Sequence, residues 1–187
     1  MLQRLFGTSH HEIWKRLAAQ IGGDYTPGNF WRGDRVTVSH DDWTIVLDSY
    51  TTKVPFTRFR AEVSSPDGFR FAVSRRGLLS DLAHALGAQD VVVGHEPFDR
   101  DFVIKGNDEA KLRALFDNAR IRAGLDAQPD VHFDLAEAGG TVFLSFATVG
   151  LLDDPARLRA QYDLFADTLD ALGRAGSAEP PPNAPAP

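Results

Sequence analysis

Apolar residues recur along this chain with two periods, one helical and one extended, and the alternation between them lays out the fold. Ile13, Leu17 and Ile21, with Trp14 and Ala18 beside them, share one helical face, and Gly22-Gly23 ends the run. Ser9-His10-His11-Glu12, in front of that helix, has the Ser-x-x-Glu form of a capping box. A period of two follows over residues 35–74. Val36 and Val38 alternate, then Trp43, Ile45 and Leu47, then Thr57, Phe59, Ala61 and Val63, then Phe69, Phe71 and Val73. With the turn Ser65-Pro66-Asp67-Gly68, this pattern predicts an antiparallel meander with one wet face.

Leu78, Leu79, Leu82 and Leu86 return to helical spacing, closed by Gly87, and Val91-Val92-Val93 suits a short buried strand or an extended link. From Phe98 to Leu125 the sequence reads as strand, tight turn and helix. Phe98, Arg100, Phe102 and Ile104 lie on one strand face; Gly106 gives the exit, and Asn107 or Asp108 the cap. Leu112, Leu115, Phe116 and Ala119 form the helical face, broken at Asp117-Asn118 before a short helix running to Gly124. Arg100 on an apolar face needs a carboxylate, with Glu96 or Asp134 as candidates, or must snorkel at an edge. Val131, Phe133 and Leu135 alternate up to Gly139-Gly140, and Thr141–Val149 is apolar on both faces, as expected of a central strand covered on both sides. Asp154 caps and Pro155 opens a last helix with the stripe Leu158, Tyr162, Phe165, Leu169 and Leu172.

These elements define an α+β protein: an antiparallel meander and a C-terminal hairpin in one or two sheets, with helices packed on the sheet. We expect a flexible N-terminus at 1–8, a single domain at 9–173 with sub-halves 9–94 and 95–173, and a disordered Pro/Ala-rich tail at 174–187. The halves are suggested by a faint echo of strand, turn and helix on each side of residue 90.

The run FDRDFVIKGNDEA at Phe98–Ala110, followed by Leu-x-x-Leu-Phe at 112–116 and Ile121-Arg122, resembles a family of uncharacterised bacterial proteins, a domain of unknown function. The likeness extends over about residues 10–173. It implies the same order of Phe-rich strand, turn, capped helix, hairpin and final helix, and a bacterial origin. It brings no activity, cofactor or catalytic residue.

Composition narrows the function classes. The net charge of −6 argues against non-specific nucleic-acid binding, which draws on basic phosphate contacts. There is no cysteine, so disulfides, thiolate metal sites and a Cys nucleophile are excluded, which suits a reducing cytoplasm. No apolar run approaches the ~20 residues that span a bilayer, and MLQRLFGTS lacks the apolar core of a secretory signal. Arginine (16) outnumbers lysine (4), as in GC-rich bacterial genomes.

Candidate chemistry is sparse. No Gly-x-Gly-x-x-Gly, P-loop, Gly-x-Ser-x-Gly or His-Glu-x-x-His motif occurs. His95, Glu96, Asp99 and Asp101 are the richest polar cluster and the candidates for a catalytic or metal-assisted hydrolytic site; alternation puts Asp99 and Asp101 ~7 Å apart on one strand face, long for two ligands of one ion. His10 and His11 point ~100° apart on a helix and are read as exposed helix-start residues rather than a metal pair. Phe30, Trp31 and Arg32, in a loop between turn signals, are candidates for a contact surface. Arg58, Arg60 and Arg70, with Arg75 and Arg76, make the wet sheet region locally basic, a docking face for an acidic protein, a small anionic ligand or an anionic membrane. The expected function is that of a non-catalytic cytoplasmic binding or accessory domain, with no metal or cofactor. A metal-assisted hydrolase and a peripheral membrane protein are the alternatives.

Overall fold

The computed structural model describes residues 10–28, 33–77 and 90–182. The helix expected over Leu78–Leu86 and the loop residues Phe30, Trp31 and Arg32 lie outside them. The helices are α1 (His10–Ile21), α2 (Glu96–Asp101), α3 (Glu109–Phe116), α4 (Ala119–Asp126) and α5 (Pro155–Arg174). The strands are β1 (Asp24–Thr26), β2 (Arg35–His40), β3 (Trp43–Thr51), β4 (Pro55–Val63), β5 (Phe71–Arg75), β6 (Phe102–Gly106), β7 (His132–Ala138) and β8 (Thr141–Val149). All eight described strands join one antiparallel sheet in the order β1-β2-β3-β4-β8-β7-β5-β6. The α+β class read from the sequence is the one observed.

The meander runs only as far as β4. The turn at Ser65–Gly68 does not fold β5 back onto β4; it carries the chain past the Gly139-Gly140 end of the β7–β8 hairpin, and β5 pairs with β7 and β6. The physical reason lies in β8. Its Leu144 and Phe146 are fully buried, and both of its edges are hydrogen-bonded, so it occupies the centre of the sheet that a β4–β5 pairing would have closed. The tight β7–β8 connection is available because Gly139 and Gly140 sit at φ +62° and +83°, as a two-residue hairpin turn requires.

Helices cover one face of the sheet. Phe165 of α5 packs on Phe59 and Phe133 at ring-centroid distances of 6.2 and 6.4 Å, and Phe116 of α3 meets Phe71 edge-on at 6.3 Å. The α1 stripe Ile13, Trp14, Leu17 and Ala18 is buried as its spacing predicts, and the Trp14 indole donates to the Leu152 carbonyl at 3.0 Å. One contiguous core contains buried residues from all five described helices. The caps are also as read: Asp108 accepts from the Lys111 amide, and Asp154 from the amides of Ala156 and Arg157.

Three local expectations change. Phe98 to Asp101 is helical rather than extended. Pro97 fits the first turn of α2, and the Asp99 carboxylate accepts from the amides of Val93, Gly94 and His95, so backbone donors ahead of the helix are satisfied locally. Arg100 therefore leaves the apolar face; its side chain is 67% exposed and pairs with its neighbour Asp101, not with Glu96 or Asp134. The second face of β8 is not sealed, since Val149 is 48% exposed. Finally, the segment after α5 folds back. Glu179 pairs with Ser64, Ala178 is buried, and Ser177 donates to Asp67 at 2.7 Å.

Candidate functional site

The face of the sheet opposite the described helices is polar, and register determines what meets there. Asp48 on β3 stands opposite Arg35 on β2 and Arg58 on β4. Arg58 grips Asp48 with two parallel hydrogen bonds of 2.9 Å, and Arg60 reaches the same carboxylate at 3.2 Å. Two guanidinium groups thus hold a single carboxylate, and Arg35 stands opposite it in register. Burial lowers the pKa of Arg60; Asp48 opposes that, but the Arg58 and Arg35 cations push the same way as burial.

Aromatic rings line the same ground. Tyr50 and Phe56 stack nearly parallel at 5.1 Å, the Arg58 guanidinium lies 4.7 Å above the Tyr50 ring, and Arg60 lies 5.6 Å from the Phe143 ring. His132 meets Phe56 edge-on at 6.2 Å. These side chains are half-buried, the combination of apolar area and cation that protein contact surfaces favour. Further along, Asp134 stands opposite Ser145 and Ala72. Burial drives its carboxyl up to about 7 against the weaker pull of Arg58. Burial likewise lowers His132, partly countered by Asp130.

The other arginines of the region are committed to structure. Arg70 donates to Ser65 and the Phe69 carbonyl. Arg75 binds the carbonyls of Asp126, the last residue of α4, and of Gln128 while lying over the Phe102 ring. Arg76 binds the carbonyls of Asp99, Arg100 and Phe102. Such roles are invisible in sequence, because each guanidinium answers a carbonyl brought close only by the fold.

The four residues at 95–101 do not converge. Both oxygens of Asp99 are taken by backbone amides, Asp101 faces Arg100, Glu96 is exposed in the first turn of α2, and His95 turns to Arg122 at 3.0 Å and Asp117 at 3.5 Å. Among the described residues, the side-chain groups whose ligand atoms come within 4.8 Å of one another are His10, His11 and Asp34, and His40, Asp41 and Asp170. Asp34 carries no signal in the sequence, since its neighbours in space come from α1 and β1. The carboxyl is 5% exposed; burial raises its pKa, but the Gly28 amide, His11 and Tyr25 outweigh that and hold it below the usual range. Burial, then the hydrogen bond to Asp34, pushes the Tyr25 phenol up to about 12.

No protein-family model matches the chain, and no curated protein matches it in sequence. In structure it is similar to the mycobacterial trehalose monomycolate transport factor A, TtfA, with a TM-score of 0.58 at 10% identity, over 93% of this chain and 98% of that one. The likeness shows a shared fold. No described helix is long and apolar enough to cross a membrane.

Proposed function

We propose that this chain is a non-catalytic binding module that takes an acidic segment of a partner protein on the Arg35–Arg58–Arg60 face of its sheet. The observation that carries the reading is the charge there: Arg58 and Arg60 both bind Asp48, Arg35 stands opposite it in register, and these three cations exceed the carboxylates of Asp48 and the exposed Glu62, on a chain whose net charge is −6. A carboxylate-bearing peptide would complete the uncompensated pairs, and Tyr50, Phe56 and Phe143 would supply the apolar contact that a small anion could not use. The resemblance in fold to a protein named as a transport factor supports an accessory role. The cysteine-free, arginine-rich composition supports a bacterial cytoplasmic setting.

The test uses a labelled glutamate-rich peptide and the full chain. Arg35 is exposed and Arg60 half-buried, so Arg35→Glu/Arg60→Gln leaves the Arg58–Asp48 pair in place. The expected result is peptide binding that weakens with salt, and at least about a tenfold loss of affinity in the double variant, with circular dichroism showing that the variant remains folded. Equal binding by wild type and variant overturns the proposal. Binding to vesicles of anionic lipid with none to the peptide would reassign the face to a membrane surface.

A further inference from the structure

A second constellation lies where α1 meets the β1–β2 edge. Two imidazoles, a carboxylate and a phenol converge there on one oxygen. Asp34 Oδ2 is contacted by His11 Nδ1, lies 3.7 Å from His10 Nε2, and accepts from the Tyr25 hydroxyl at 3.0 Å. The other oxygen, Oδ1, is held by the Gly28 amide at 2.8 Å. The carboxylate is thus oriented by the backbone on one side and presents its second oxygen to side chains, as a metal-ligating carboxylate is held by its outer contacts.

Adjacent residues on a helix diverge, and that was the argument against a metal pair. The structure evades it by using different ring nitrogens. His11 approaches with the near nitrogen and His10 with the far one, and the rings lie only 3.9 Å apart, tilted by 34°. His10 Nε2 and Asp34 Oδ2 stand 3.7 Å apart, near the ~3.3 Å edge of a tetrahedron with bond lengths of ~2.0–2.1 Å, whereas His11 and Asp34 touch more closely than such an edge and would have to part to admit an ion. The side chains of His10 and His11 are 30% and 54% exposed, so solvent reaches the imidazoles, while that of Asp34 is only 4% exposed.

We propose that His10, His11 and Asp34, with Tyr25 beside them, form a site for one divalent transition cation of the Zn2+ class. Two nitrogens and one carboxylate oxygen are a borderline donor set suited to Zn2+ and ill suited to Mg2+ or Ca2+, which prefer all-oxygen shells. The three ligands come from α1 and from the chain entering β2, so the ion would fasten the start of the chain's first helix to the edge of the sheet. A tie of that kind stabilises the folded state by an amount that grows with the logarithm of free ion concentration above Kd.

Metal-stripped full-length protein titrated with Zn2+ by calorimetry, and assayed for retained metal after dialysis, decides the matter. We expect one Zn2+ per chain and a thermal midpoint that rises with Zn2+. His10→Ala/His11→Ala should bind at least about a hundredfold more weakly, and its midpoint should no longer respond. His40→Ala, in the other cluster of candidate ligands, should bind as wild type does. Co2+ in place of Zn2+ should give the visible absorption of a tetrahedral site in wild type and not in the double variant. Because both histidines are solvent-accessible, the double variant is expected to fold, with circular dichroism as the check. Asp34→Asn offers a third arm that keeps the side chain's volume. Metal retained well below one ion per chain by wild type, equal binding by His10→Ala/His11→Ala, or loss of binding in His40→Ala alone would each overturn the proposal.

Discussion

Asp134 is the residue whose ionisation the fold alters most usefully. Burial lifts its carboxyl from the ordinary 3.8 to about 7, with Arg58 pulling the other way. The folded protein therefore holds this proton more tightly than the unfolded chain. Its contribution to stability is complete below about pH 4 and is lost as pH rises through about 7. Asp134→Asn should accordingly stabilise the protein at pH 8 by on the order of 1–3 kcal/mol and change little at pH 4, as read from urea midpoints at the two values. A gain at pH 4 equal to that at pH 8 would show that the carboxyl is not titrating as described. The register that places Asp134 beside Ser145, and Asp48 between Arg35 and Arg58, follows once the strand partners are known. It could not be read beforehand, because alternation assigns a residue to a face but not to a neighbour. The Asp34 cluster was still further from view, its His11 and Asp34 being 23 positions apart.

At the scale of elements, α2 shows how one sequence can satisfy two periods. Phe98 and Phe102 share a face in a strand, where four is even, and also in a helix, where four is about one turn. Their rings are in fact 4.5 Å apart, and Phe98 also packs on Phe116 at 5.5 Å. The signals that decide the case are Pro97 at the start and Asp99 turning back to three amides. Asp99→Ala should cost about 1–3 kcal/mol, and hydrogen exchange should quicken at residues 93–95 before it does in β6. By contrast the α1, α3 and α5 stripes and the Asp108 and Asp154 caps were legible, because each is made within a few residues of itself. The arginine face was half legible. Arg58 and Arg60 lie on it, whereas Arg70, Arg75 and Arg76 are held by neighbouring hydroxyl and carbonyl groups.

For the whole molecule, stability centres on Phe133, whose ring lies 5.7 Å from Phe71, 5.4 Å from Phe146 and 6.4 Å from Phe165. It joins β5, β8 and α5 at once. Phe133→Ala should cost about 3–5 kcal/mol, lowering the urea midpoint with the slope unchanged, while Val149→Ala at an exposed position should stay within about 0.5 kcal/mol. A sheet assembled around one central hairpin admits no local repair of that gap.

The outer strands carry a consequence of their own. On one flank β1 has only three residues. On the other, residues 90–91 lie along β6, where the Val91 amide donates to the Ile104 carbonyl at 2.8 Å and Asp90 bridges Lys105. A free strand margin is a template onto which foreign chains can polymerise, and here one margin is clipped short and the other hemmed in. Growth by edge-to-edge strand addition is thus discouraged, and an open-ended stack of copies is expected to be absent when the protein is concentrated.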